Sequence, residues 1–255
     1  MTRKARNFIR LCIFLSLWGS FCAQADNLSV AVAANMQFVF DDLKAQFQRD
    51  TGHSAQGIVN SSGKLVSQIS HGAPFDVFLS ADTVFPDTLY RQGHAVSVPK
   101  VYAYGALVIW TNKDLDFNHW QQSLQGVRIR QVAVANPDTA PYGRESMRAL
   151  QFLKLEPNLH SRLVFAESIA QVNQYIYSGV VDWGITAKSV VLSDEMKGKG
   201  KWLDVPAESY TPIAQAVVIL QHAKKNKLST AQAFVDFLGS ASGRAILQKH
   251  GYTLP

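Results

Sequence analysis

Strand-like and helix-like segments alternate along this chain with short spacings, and that alternation restricts it to an α/β architecture. Leu28-Ser29-Val30-Ala31-Val32 reads as a strand, and Met36, Val39, Phe40, Leu43 and Phe47 then recur at helical spacing until Thr51-Gly52 closes the helix. Residues 55–59 make a second strand, followed by a short helix whose apolar face is Leu65 and Ile69 and which Gly72-Ala73-Pro74 breaks. Asp76-Val77-Phe78-Leu79-Ser80 is a third strand, and Phe85 and Leu89 mark the helix after it. Three β-to-α steps in succession predict a mainly parallel sheet with helices on both faces. The same grammar resumes with strands at 106–110, 129–135, 163–166, 182–186 and 213–220 and helices at 143–153, 169–177, 231–238 and 241–248. No internal repeat stands out. The expected division is two lobes, 26–103 with 211–255 and 104–210, joined by crossover strands near 101–104 and 210–214.

The first 25 residues are a different kind of segment. Arg3, Lys4, Arg6 and Arg10 precede an apolar run over 11–21, and Ala23-Gln24-Ala25 supplies the small-x-small pattern of a cleavage site. The run is too short to span a bilayer, so it reads as an export signal cut after Ala25. A lipoprotein anchor at Cys22 is the alternative, against which the bulky Phe21 argues; an uncleaved membrane anchor is another. Cleavage after Ala25 removes both cysteines, Cys12 and Cys22, and leaves 230 residues without disulfide or thiol chemistry. The formal charge of +6 also falls, because four of the 25 basic residues leave and 21 remain against 19 acids. Nothing in that balance calls for nucleic acid or a membrane surface as partner. No later stretch has the length and apolarity of a membrane span, and the expectation is a soluble, exported protein.

Small polar residues sit where several strands end and helices begin: Ala33-Ala34-Asn35, Asn60-Ser61-Ser62-Gly63, Ser80-Ala81-Asp82 and Ala166-Glu167-Ser168. Unpaired amides at helix starts attract anions, and the C-terminal edge of a parallel sheet is where such folds bind ligands. Each segment taken alone also reads as an ordinary helix cap; their recurrence on one sheet edge favours a binding site. Asn60-Ser61-Ser62-Gly63-Lys64 is not a phosphate loop, since Gly57 is one residue too early and Leu65 replaces the magnesium-binding hydroxyl. Lys64 reads as a solvated helix residue.

Catalytic patterns are poor. The seven histidines include no HExxH and no i,i+4 pair. Ser62, His71 and Asp76 lack the GxSxG elbow that would support a triad, and His71-Gly72 reads as a helix C-terminus. Asp76 and Asp82 flank a strand without the apolar setting that tunes an acid pair. An enzyme is not expected.

The combination of Val32-Ala33-Ala34-Asn35, Ser61-Ser62-Gly63, Gly72-Ala73-Pro74-Phe75-Asp76-Val77-Phe78-Leu79-Ser80-Ala81-Asp82, Ala135-Asn136-Pro137, Ala140-Pro141-Tyr142-Gly143 and Gly251-Tyr252-Thr253-Leu254-Pro255 resembles the periplasmic molybdate-binding proteins of ABC importers. The resemblance runs over the whole chain after the leader. It implies the two-lobed type II periplasmic-binding-protein fold, a ligand cleft between the lobes, molybdate or tungstate as ligand, no cofactor, and a membrane permease as partner. By position it places the oxyanion ligands at Ala34, Asn35, Ser62, Tyr142 and Ile169, with molybdenum or tungsten present only inside the oxyanion and not coordinated by a side chain. Relatives in this branch often carry threonine at the position of Ala34, which keeps the main-chain donor and loses a hydroxyl; replacement by Ser61 or by water stays open. Sulfate and molybdate carry equal charge, so discrimination must come from cavity size and donor placement. A protonated oxyanion would need an acceptor such as Asp82, which the resemblance instead leaves as a cap on its own helix. The alternative function is a receptor for another small oxyanion, sulfate-like, or a small organic anion.

Overall fold

The computed structural model describes residues 27–255, so the expected export signal, its cleavage site and Cys22 lie outside the described residues. The first lobe opens with β1 (Asn27–Ala33), a single 3-10 turn at Ala34–Met36 and α1 (Gln37–Thr51), which ends on Gly52 in the left-handed conformation at φ 75°. It continues through β2 (Ser54–Asn60), α2 (Ser62–Ser70), β3 (Val77–Ser80), α3 (Val84–Arg91) and β4 (Lys100–Gly105). The chain then crosses into the second lobe with β5 (Leu107–Thr111), α4 (Trp120–Gln125), β6 (Val132–Ala135), α5 (Pro141–Phe152), α6 (Glu156–Leu159), β7 (Leu163–Ala166), α7 (Ile169–Tyr177), β8 (Trp183–Ala187), α8 (Lys188–Val191) and β9 (Lys201–Asp204). It returns with β10 (Ile213–Ile219), α9 (Leu228–Leu238) and α10 (Ala241–Lys249).

Two five-stranded sheets result, ordered β2-β1-β3-β10-β4 and β7-β6-β8-β5-β9. In the first, β1 runs parallel to β2 and β3, while β10 is antiparallel to both β3 and β4. In the second, β6 runs parallel to β7 and β8, while β5 is antiparallel to both β8 and β9. One strand per sheet is therefore reversed, and in each case it is the strand that arrives from the other lobe. The parallel strands end at the cleft, so a chain entering from across the cleft starts at that edge and must run the opposite way.

Both faces of the first sheet are buried. Leu28, Val30 and Val32 of β1, Val77 and Leu79 of β3, and Val217 and Ile219 of β10 face one core with Phe40, Phe47 and Phe234. The alternate residues Ala31, Phe78 and Val218 face the other, with Leu65 and Leu89. This is the period-two alternation of a sheet covered by helices on both sides. The second lobe has one continuous core, which Ala33, Ala34 and Ala81 of the first lobe join. Among the expected boundaries that shift, two do so for clear local reasons. The strand expected over 129–135 begins at Val132, because the Arg130 and Gln131 N–H groups turn to the Asp182 carboxylate. The helix expected from 143 begins at Pro141, whose missing N–H is no loss in a first turn.

Candidate functional site

Each lobe offers two helix starts to the cleft: one after its central strand, one after the parallel edge strand. In the first lobe these are Ala34–Met36, which continues into α1, and the start of α2; in the second they are the starts of α5 and α7. All four converge on one small cavity. The candidate residues Ala34, Asn35, Ser62, Tyr142 and Ile169 all line it, together with Ser61, Ala81 and Pro141. No charged side chain lines it.

Why this cavity presents donors follows from what each polar group already bonds. Ser62 Oγ accepts the Ala81 N–H at 3.1 Å, so its own hydrogen remains to be given. Tyr142 Oη accepts from Gln215 Nε2 at 3.0 Å and keeps its hydrogen likewise. Burial, reinforced by the neighbouring Tyr252 and Tyr102, holds the Tyr142 phenol well above its ordinary value. Burial also pushes Tyr252 up to about 12. Both therefore stay neutral donors at any physiological pH. The first N–H groups of a helix have no partner within it, so the turns at Ala34, Ser62, Tyr142 and Ile169 add oriented amides. Gly63 N–H donates across the cleft to Thr139 O at 2.9 Å, and a Cβ on Gly63 would lie 3.0 Å from that backbone.

Beneath the cavity lies a buried network spanning both lobes. Asn35 Nδ2 donates to Gln215 Oε1 at 2.9 Å and to Tyr252 Oη at 2.8 Å. Ser189 Oγ donates to Asn35 O at 2.8 Å, and Tyr252 Oη lies 3.2 Å from Ser189 Oγ. Asn35 Oδ1 has no partner among the described residues. Turning the Asn35 and Gln215 amides over together reverses the chain: Tyr142 then donates to Gln215, Gln215 donates to Asn35, and the Asn35 amide hydrogens are released. The network keeps one donor to spare in either orientation. Gly105 makes room for it, since a Cβ there would collide with the Tyr142 hydroxyl and lie 2.8 Å from Gln215 Nε2.

The remaining sequence candidates fall outside the cavity. Asp82 Oδ1 accepts the Phe85 N–H at 3.1 Å, the expected cap on α3, while Oδ2 pairs with Arg144 of the other lobe at 2.7 Å. Burial raises its carboxyl above the ordinary value, outweighing the Phe85 N–H and Arg144. Lys64 is solvated, as expected, but also pairs across the cleft with Glu167 at 2.6 Å. His71 is the C-terminal cap residue of α2. Asp76 departs from the expectation of an open setting. It is fully buried at the end of β3 away from the cavity, held by Ser29 N–H, His222 and Lys227. Ser62, His71 and Asp76 each bond other groups and not one another.

Sequence reasoning did not single out Gln215, Ser189, Arg144 or Glu167. Gln215 had a usable signal, being an uncharged polar residue inside the otherwise apolar strand 213–220. Ser189 and the two cross-cleft ions had none, because only folding brings them to their partners.

The model of the bacterial extracellular solute-binding proteins matches residues 28–253. The molybdate-binding protein ModA of Azotobacter vinelandii is 37% identical over 233 residues, 91% of this chain and 92% of that protein. ModA of Rhodobacter capsulatus is 34% identical over 231 residues, 90% of this chain and 89% of its own length. The solved structure of the Azotobacter vinelandii periplasmic molybdate-binding protein superposes with a TM-score of 0.82 at 34% identity, covering 89% of this chain and 99% of that one.

Proposed function

Because the chain belongs to the bacterial extracellular solute-binding proteins, we propose that it is a periplasmic receptor that captures molybdate or tungstate and delivers it to the permease of an ABC importer. The observation that carries this reading is the convergence of four helix starts on one small, uncharged cavity. A tetrahedral dianion is held there by the main-chain N–H groups of Ala34, Asn35, Ser62, Tyr142 and Ile169 and by the hydroxyls of Ser62 and Tyr142. Neutral donors suffice because they are already oriented and the helix ends add partial positive charge. The cavity is far smaller than the sites that take larger organic ligands, which favours a compact oxyanion.

Ala34, Asn35 and Ser62 belong to one lobe and Tyr142 and Ile169 to the other. Only the closed arrangement contacts the anion with both sets, so ligand favours closure. The lobe limits in this reading are 26–103 with 211–255 and 104–210; β4 pairs within the first sheet as far as Gly105 and β5 begins at Leu107, which favours a first crossing two residues later, near 105–107. Residues 1–25 serve as the export signal, and the mature protein acts as a monomer that binds and releases without turnover.

Isothermal titration with molybdate, tungstate, sulfate and phosphate tests the reading. Binding is expected for the first two and at least tenfold weaker for the others. Sulfate binding without molybdate or tungstate binding would overturn the assignment in favour of the sulfate-like alternative.

A further inference from the structure

Among the described residues, three helices open on a serine N-cap, and two of these serines behave alike. Ser168 before α7 accepts the Gln171 N–H at 3.4 Å, and Ser240 before α10 accepts the Gly243 N–H at 3.1 Å. That is how such a residue satisfies a helix start. Ser61 before α2 has the extended backbone of an N-cap, φ −63° and ψ 147°, yet its hydroxyl accepts no helix N–H. It is only 2% exposed, and its Oγ has no partner among the described residues. Its main-chain N–H is already committed to Asn60 Oδ1 at 2.9 Å. The residue lines the oxyanion cavity, where its neighbour Ala34 offers no side-chain donor.

A buried hydroxyl without a partner destabilises the fold, so a serine that neither caps nor bonds contributes nothing to the ligand-free protein that alanine would not. Its hydrogen is fixed by no acceptor and can turn toward a dianion entering the cavity. We infer that Ser61 is a ligand-binding residue of this site, its Oγ–H donating to one oxygen of the tetrahedral oxyanion beside the Ser62 hydroxyl. The inference rests on the oxyanion reading proposed above. Gly63 N–H, a donor that an N-cap serine would ordinarily accept, already goes to Thr139 O at 2.9 Å, so the Ser61 hydroxyl is left for the ligand.

The two roles open to Ser61 move stability and affinity in different directions. Losing a cap lowers the melting temperature and leaves binding alone. Losing a ligand hydroxyl weakens binding, and here leaves the ligand-free melting temperature unchanged or higher. Molybdate is titrated into the wild type, Ser61→Ala and Ser240→Ala, and ligand-free melting is recorded for each. Ser61→Ala is expected to bind about 10-fold to 100-fold more weakly, the effect of one hydrogen bond to a charged partner. Ser240→Ala is expected to melt lower and bind as the wild type does. Ser61→Ala affinity within about twofold of the wild type overturns the inference, whatever its melting temperature. A wild-type protein that binds neither molybdate nor tungstate overturns the functional reading itself, so the two failures are told apart by the wild-type titration.

Discussion

The two lobes share one backbone plan, but their side chains are paired alike at the ends far from the cleft and differently at the cleft. Val30-Ala31-Val32-Ala33 in β1 answers to Val132-Ala133-Val134-Ala135 in β6, and both strands are the parallel centre of their sheets. The register agrees, with Val30 opposite Val77 and Val132 opposite Trp183. Phe75-Asp76-Val77-Phe78-Leu79-Ser80-Ala81 then matches Val181-Asp182-Trp183-Gly184-Ile185-Thr186-Ala187. Each aspartate ties its strand to the start of the central one: Asp76 accepts Ser29 N–H at 2.8 Å, and Asp182 accepts Arg130 N–H at 2.6 Å and Gln131 N–H at 3.0 Å. At the cleft the helix starts still correspond, but their side-chain pairings do not. Asp82 pairs with Arg144 across the cleft, whereas its counterpart Lys188 pairs with Asp204 within its own lobe. Ser168 caps its helix and Ser61 does not. Symmetry survives where a strand must only be anchored and is lost where a ligand must be gripped from two sides.

The anchors give the largest expected effect and can break the comparison. Asp76 is fully buried with His222 at 2.7 Å and Lys227 at 3.3 Å, so Asp76→Ala strands a poorly solvated cation and should cost about 3–5 kcal/mol of stability. Asp182 meets Lys113, which is more exposed, and two backbone N–H groups; its loss should cost about 1.5–3 kcal/mol. Urea unfolding of both variants measures this, and equal losses would show the two anchors to be energetic equals. Asp182 also carries a pH signature. Burial alone would raise its carboxyl, but Lys113 and the Gln131 and Arg130 N–H groups outweigh it and hold the carboxyl below its ordinary 3.8. Its stabilisation is therefore complete above 3.8 and is lost as pH falls through the lowered native value, and Asp182→Asn should remove that part of the acid limb.

Next in size come changes at the cleft. Gly105→Ala would drive a methyl into the Tyr142 hydroxyl and against Gln215, displacing a group from each lobe at once. Molybdate affinity should fall by more than about tenfold, as for a lost hydrogen bond to a charged partner. Tyr142→Phe and Ser62→Ala each remove one hydroxyl and should weaken binding about 10-fold to 100-fold. Tyr142→Phe also leaves Gln215 Nε2 without its acceptor, so it should lower ligand-free stability as well. A Gly105→Ala protein binding like the wild type would show that the closed arrangement does not need the Gln215–Tyr142 contact.

The sequence carried the parallel half of each sheet clearly, because β1, β3, β6 and β7 are short apolar runs each followed by a helix period, and the more polar β2 lies between two helix periods. It also brought five residues to one cavity, since polar helix starts on a single sheet edge are a local pattern. What it hid was non-local. β9 and the short helices α4, α6 and α8 have too few residues to show a period. The pseudo-repeat was missed because only alanine, valine and one aspartate persist, while the helices between have diverged. Gln215 looked like a strand residue because its reasons for being polar, Asn35 and Tyr142, lie far away in the chain. Ser61 stayed open as a replacement donor because a serine that caps and one that does not differ only in their hydrogen bonds, which appear only in the fold.

The smallest expected effect concerns the ion pairs that bridge the cleft, and it sharpens the claim that only the cleft ends are asymmetric. Lys64 and Glu167 are 39% and 67% exposed, so their pair is worth at most about 1 kcal/mol and is screened by salt. Arg144 and Asp82 are more buried, and their pair belongs to the same latch. If the latch favours closure, Lys64→Ala should weaken molybdate binding by less than about fivefold at low salt and not at all near 1 M salt. Arg144→Ala should have the larger effect and keep more of it at high salt, because water and ions reach that pair less easily. Both variants should release ligand faster with little change in its capture, since the pairs form only after the lobes meet. Slower capture with unchanged release would mean that Lys64 and Arg144 act by drawing the anion toward the cleft rather than by holding the lobes together.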